Sequence, residues 1–160
     1  MIILGIDPAL TITGYGAINF DKGNSSVIEA GIIQTCAKDN LECRLDKLYK
    51  GISKLIIDTK PGCLVLEKLY AHHQHPTTAF LLGHARGVIC LACAENNVPL
   101  YEYAATRVKK AIVGKGLASK AQVQRMIISL LKLKQAPKYL DVTDALALAI
   151  AHSYIAGARI

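Results

Sequence analysis

The chain has no tryptophan, only two phenylalanines and an aromatic share of 6%, so its core must be largely aliphatic. With 52% apolar residues among 160, it is expected to fold as one α/β domain spanning residues 1–160 rather than stay disordered. Long apolar runs are also missing. The longest, such as Ala145 to Ala151, fall far short of a bilayer span. Met1-Ile2-Ile3-Leu4 begins without a basic segment, so no secretory signal is expected. Cysteine is sparse and odd in number. Cys36, Cys43, Cys63, Cys90 and Cys93 lie mostly in apolar stretches, the pattern of reduced core thiols in a cytoplasmic protein. Cys90 and Cys93 form a lone CxxC with no second pair and no histidine at zinc-finger spacing, so zinc is not expected.

The most informative absence is acid. From Tyr103 to Leu140 there is no aspartate or glutamate, yet nine basic residues: Arg107, Lys109, Lys110, Lys115, Lys120, Arg125, Lys132, Lys134 and Lys138. The remainder carries ten basic and twelve acidic residues, so the net charge of +7 is confined to one segment. Such a block suits a phosphate backbone or an anionic membrane. Its apolar residues look committed to a core rather than to a lipid-facing stripe, which favours nucleic acid. A solvated face tuned for solubility is the plainer alternative.

Periodicity supplies the elements. Ile2–Asp7 reads as a buried strand, and 12–20 and 25–35 as two more, joined by the turn-prone Asp21-Lys22-Gly23-Asn24. Leu41, Leu45, Leu48, Ile52, Leu55 and Ile56 share one helix face, with Asp39 or Asn40 as cap and Pro61-Gly62 as stop. Cys63–Glu67 is a short strand, followed by a polar loop with His72, His73 and His75. Pro76 opens a helix to about Asn97, 98–103 is a fifth strand, and a basic helix runs to about Val113. Ser119 and Gln122 have capping-box spacing and start a helix to about Leu133; a last helix begins near Asp141. Strands alternating with helices in this way describe one α/β layer arrangement.

Four carboxylates stand out. Asp7 and Glu67 each close an apolar strand, where a buried, unpaired acid is costly and demands a partner. On neighbouring strands both would open at the same sheet edge, where α/β folds keep their sites. Asp141 and Asp144 are three apart at a helix start and share a face. Meeting the helix macrodipole would explain that pair. The apolar Leu146 to Ile150, however, demands a buried helix and would carry the aspartates to the rim of the core. Four acids with no basic partner among them would repel one another, and a divalent cation would relieve this. Oxygen-only donors suit magnesium or manganese, and a two-ion site suits phosphodiester cleavage.

These residues resemble the RuvC family of Holliday-junction resolvases over essentially the whole chain. Carrying the resemblance are Gly5-Ile6-Asp7-Pro8, Thr13-Gly14-Tyr15-Gly16, Leu66-Glu67 with Tyr70, Ala85-Arg86-Gly87, Tyr101-Glu102-Tyr103, Val108-Lys109-Lys110 and Asp141-Val142-Thr143-Asp144-Ala145-Leu146-Ala147. It implies an RNase H-like fold, a five-stranded mixed sheet flanked by helices, acting as a homodimer. It further implies that Asp7, Glu67, Asp141 and Asp144 hold magnesium, two ions per subunit with manganese able to substitute. The expected reaction is symmetric cutting of opposed strands at a four-way DNA junction in recombination and repair, beside a branch-migration complex. The chain departs from the family at Pro8-Ala9-Leu10, at Tyr70, at His84 and in the loop Ala71-His72-His73-Gln74-His75.

The DNA contacts expected from these motifs are Tyr70, Lys109, Lys110, Lys120, Gly14 and Gly16. Tyr70 is either a core aromatic or a platform for an exposed base, stacking being worth roughly 1–3 kcal/mol. Gly14 and Gly16 either make a strand turn or let DNA approach closely. Lys120 opens a helix, whose backbone N–H groups also favour phosphate. No histidine is expected at the metal: His152 lies two turns beyond Asp144, roughly 12 Å along the axis. Two other readings remain: a junction-binding module that does not cut, and a nuclease acting on RNA–DNA hybrids.

Overall fold

A computed structural model describes residues 1–69 and 76–157. Among these, the strands are β1 (Ile2–Asp7), β2 (Ile12–Asp21), β3 (Asn24–Gln34), β4 (Cys63–Glu67) and β5 (Leu100–Tyr103). The helices are α1 (Leu41–Thr59), α2 (Pro76–Glu95), α3 (Ala105–Val113), α4 (Lys120–Leu130) and α5 (Leu140–Gly157). The strands form one sheet in the order β3-β2-β1-β4-β5. β2 runs antiparallel to both β1 and β3, whereas β4 is parallel to β1 and β5 to β4. The mixture follows from the connections. Lys22 and Gly23, both at positive φ, close a tight hairpin. β4 and β5 each follow a helical crossover, which returns a strand parallel to its neighbour.

Strand alternation divides the interior into two cores. Ile3, Cys63, Val65 and Ile18 pack with α3, α4 and α5 on one face. Leu4, Ile6, Leu64 and Leu66 pack with α1 and α2 on the other. The odd-numbered residues of β1 and β4 therefore belong to the α5 side, and Asp7 and Glu67 continue that series.

Element ends shift from the sequence reading for local reasons. α2 stops at Glu95 because Asn97 turns left-handed, and α4 stops at Leu130 ahead of Lys132, also left-handed. β5 begins at Leu100 because Pro99 has no N–H to give; its carbonyl accepts from Leu64 at 2.9 Å. Asn40 takes the N-cap position of α1, but its side chain makes no cap hydrogen bond. The capping box of α4 forms as expected, with Ser119 and Gln122 each bonding the other's backbone.

Two expectations need correction. Cys36, Cys43 and Cys90 are exposed, and only Cys63 and Cys93 are core thiols; an apolar neighbourhood in sequence does not fix which face of an element a cysteine takes. The limit on apolar length also fails for α2, where Thr77–Glu95 is long and apolar enough to cross a membrane. Uninterrupted runs concealed this, because His84 and Arg86 punctuate an otherwise apolar helix. Through Ala85, Ile89, Ala92 and Cys93 this helix packs on the α1 side of the sheet.

Candidate active site

The site grows from the way α5 lies on the sheet. Gly5, Gly14 and Gly16 face this helix, and a Cβ on each would collide with it: with the Ala145 carbonyl, the Asp141 backbone and the Leu146 side chain, respectively. Removing three side chains lets helix and strands approach at backbone distance. Gly14 also pairs with Asp7 across β1 and β2. Asp141 is thereby seated beside Asp7, and Asp144 follows one turn along the same helix face. Glu67 arrives from β4, one residue past the Ile6–Leu66 pair.

This geometry changes the reading of Gly14 and Gly16. They lie inside β2, not in a turn, and α5 fills the space that was expected to admit DNA. Their absent side chains serve the docking of a helix. Gly5 does the same and escaped notice as a spacer, because a glycine's packing partner is invisible in sequence.

Asp7 feels the charge of the other three acids. Burial, then Asp144, Asp141 and Glu67, push Asp7 up to about 7, with Lys120 opposing. Glu67 is raised by burial and Asp144, and lowered by Lys120, Lys109 and Arg86. Contrary to expectation, the cluster has a basic partner: the Lys120 ammonium stands 3.1 Å from Asp144 Oδ2. The capped start of α4 delivers it there. Asp144, by charge and hydrogen bond, raises Lys120 in turn. Lys120 is 77% exposed, so the pair is worth at most about 1 kcal/mol and is easily exchanged.

The donor set fits a hard divalent cation: it is all oxygen, and burial with neighbouring carboxylates penalises on Asp7 and Glu67 the negative charge that a cation would stabilise. Among the described residues, no three such side chains are yet drawn together as a ready-made cage.

A cleft beside the acids is lined by Glu67, Asp144, Lys109, Lys120 and the apolar Val108 and Val123. The structure thus brings Lys109 and Lys120 to the acids, but Lys110 is exposed one position farther round α3 and does not line the cleft. Tyr70, His72, His73 and His75 lie outside the described residues. His84 is exposed. His152 is buried away from the acids, where its Nδ1 pairs with the Tyr103 hydroxyl at 3.0 Å and its Nε2 with Cys63 Sγ at 3.4 Å.

Two arginines steady the strand ends. From α1, the buried Arg44 donates to Thr35 at 3.0 Å and to Thr11 at 2.9 Å. Thr35 in turn donates to the Leu10 carbonyl, while Thr13 bonds that of Ala9. The turn after Asp7 is therefore tied down despite its unusual sequence. From α2, Arg86 bonds the Glu67 carbonyl at 2.6 Å and pairs with Glu102. Neither arginine announced this in sequence; a long-range acceptor leaves no local pattern.

A mixed five-stranded sheet with this helix arrangement defines an RNase H-like resolvase fold. A solved structure of Thermus thermophilus RuvC matches with a TM-score of 0.91 and 27% identity, covering 99% of this chain and 97% of that one. A second, titled as the T. thermophilus protein in complex with Holliday junction substrate, matches with a TM-score of 0.91 at 24% identity, covering 99% and 96%. The family described as crossover junction endodeoxyribonuclease RuvC matches residues 3–152. The relative from Clostridioides difficile is 44% identical over 154 residues, 96% of this chain and 90% of that protein. The one from Alkaliphilus metalliredigens is also 44% identical, over 96% and 93%. The chain belongs to the RuvC family of crossover junction endodeoxyribonucleases.

Proposed function

We propose that this protein resolves Holliday junctions, cutting two opposed DNA strands of a four-way junction during recombination and repair by metal-dependent phosphodiester hydrolysis. The observation that carries the reading is the convergence of Asp141, Asp144 and Glu67 on Asp7 at the rim of an α5 docked through glycines. Asp7, Glu67, Asp141 and Asp144 would together hold two magnesium ions, or manganese in their place. When bound, such ions activate a water and stabilise the leaving oxygen. The residues of the chain do the rest. Lys109 and Lys120 flank the acids and would hold the phosphate backbone. Lys120 would exchange Asp144 for a phosphate when DNA and metal arrive. Lys110 would touch the backbone farther out. Tyr70, three residues past Glu67, is assigned from the sequence alone to stack on an exposed base near the crossover.

A single domain carries this whole arrangement, and two copies would deliver two cuts symmetrically. The outward face of α2 supports the dimer. Phe80, 71% exposed, and Leu91, 52% exposed, lie on one stripe with Gly83 and Gly87. Nothing lies within 4 Å of a Cβ built on either glycine, which leaves room for a second helix to approach closely. All five cysteines are free, in keeping with action in the cytoplasm, beside DNA and the branch-migration complex of the Ruv system.

Cleavage of a synthetic four-way junction, a linear duplex and an RNA–DNA hybrid in magnesium tests the reading. The junction should be cut on opposed strands and the duplex left intact. Binding without cutting would make the protein a junction-binding module. Preferential cutting of the hybrid would make it a ribonuclease.

A further inference from the structure

We propose that Arg86 is a positioning residue for the metal site, holding the Glu67 end of β4 from the opposite face of the sheet. This rests on the reading of Glu67 as a metal ligand. Glu67 belongs to the α5 face, where its carboxylate lines the cleft beside Asp144. Its main chain is gripped from the other side. Arg86 rises from α2, next to Ala85 and Ile89 of the α1-side core, and its Nη1 donates to the Glu67 carbonyl at 2.6 Å. Its Nη2 pairs with the carboxylate of Glu102, which sits opposite Leu66 in the β4–β5 register.

One planar guanidinium thus joins three elements: α2, the end of β4 and β5. On the same stretch of chain, Lys68 donates its N–H to the Tyr103 carbonyl at 2.8 Å. The β4–β5 register ends at the Glu67–Tyr103 pair, so the Glu67 carbonyl lies at the last rung of the ladder. Arg86 adds a bond to that carbonyl from outside the ladder.

An arginine in a basic nuclease invites assignment as a phosphate contact. Arg86 is built differently. Its side chain is only 11% exposed, and two donor nitrogens are already committed. Lysine could not replace it, because one ammonium lacks the rigid fork that reaches carbonyl and carboxylate together. Partners that orient a metal ligand typically matter by about 10- to 100-fold in metal affinity or activity.

The test is manganese binding by calorimetry on the full chain without DNA, for wild type, Arg86→Lys, Glu67→Gln and the double variant, with thermal melting of each. Arg86→Lys should weaken manganese binding about tenfold, within the range for such partners. Glu67→Gln should weaken it further, and adding Arg86→Lys to Glu67→Gln should change nothing more, since no carboxylate is left to position. Glu102→Gln, which keeps an acceptor but loses the charge, should give a smaller loss in the same direction. It serves as the test if Arg86→Lys does not fold. Wild-type binding by the folded Arg86→Lys or Glu102→Gln proteins, with only a lower melting point, overturns the proposal and leaves Arg86 a simple clamp. Wild-type binding by Glu67→Gln would instead overturn the assignment of Glu67, and the role of Arg86 with it.

Discussion

α2 and α5 are nearly matched, 20 and 18 residues of mostly apolar sequence, yet they meet opposite fates. α5 is buried almost without a break from Val142 to Ser153, while only 22% of Thr77–Glu95 in α2 is buried. What differs is the surface opposite each. β1 and β2 present glycines to α5, so its backbone sinks onto the sheet and takes Asp141 and Asp144 with it. α2 touches the sheet side through a narrow set of residues, and its own glycines face open space. Apolar composition therefore marks a helix that must be covered. α5 finds that cover in its own sheet, and in the proposed dimer a second copy would supply it for α2.

The comparison breaks most sharply at the glycines. Gly5→Ala or Gly14→Ala forces a Cβ into the backbone of α5. Overpacking of that kind costs roughly 1–3 kcal/mol in stability. It should also lower junction cutting by about a hundredfold, since small misplacements of reacting groups are that expensive. Gly83→Ala meets nothing and should leave the subunit as stable or up to about 1 kcal/mol more stable, while loosening the dimer. Thermal melting and single-turnover cleavage read both. If Gly14→Ala melts and cuts like wild type, α5 is not seated as described.

Phe80→Asp tests the other helix. In the proposed dimer a partner helix would cover this charge unpaired, at a cost of roughly 3–5 kcal/mol, so that dimer should dissociate at least about a hundredfold more readily. The subunit's own fold should persist, because the side chain is exposed before association. Sedimentation showing an unchanged dimer would move the interface elsewhere.

A smaller effect separates the buried acid from its surroundings. In metal-free protein, Asp7 titrates near 7 instead of the ordinary 3.8. The folded state thus binds that proton more tightly, and its contribution to stability is lost as pH rises from about 4 to about 7. Asp7→Asn has no such loss. It should melt above wild type at pH 8, with the difference vanishing near pH 4. His152, lowered by burial, works in the opposite direction, but it is common to both proteins and cancels. A difference that does not vary with pH would deny the convergence of charge on Asp7.

The least dramatic change is Lys120→Ala. It should weaken junction binding and reduce the slope of log affinity against log salt by about one unit. An unchanged slope would leave Lys120 as a partner of Asp144 alone.

Much of this was legible in the sequence. Strand ends at Asp7 and Glu67, the Ser119–Gln122 capping box and the helix start at Asp141 and Asp144 are written in local patterns, which is why the sheet and helices match the expectation. What stayed hidden is long-range. The collision of Gly14 with Asp141 and the reach of Arg86 to Glu67 depend on the third dimension, as does the arrival of Lys120 at Asp144. Gly14 and Gly16 show the same limit: sequence shows where a side chain is missing, not what fills the space.

The most direct test of the metal-dependent site is single-turnover cleavage of a synthetic four-way junction in magnesium by wild type and by Asp7→Asn, with junction binding measured alongside. Loss of a charged ligand should cost several kcal/mol of metal stabilisation, so cutting should fall at least about a hundredfold, while junction binding is kept or tightened as repulsion of phosphate drops. Near-normal cutting by Asp7→Asn would contradict the account and remove Asp7 from the site.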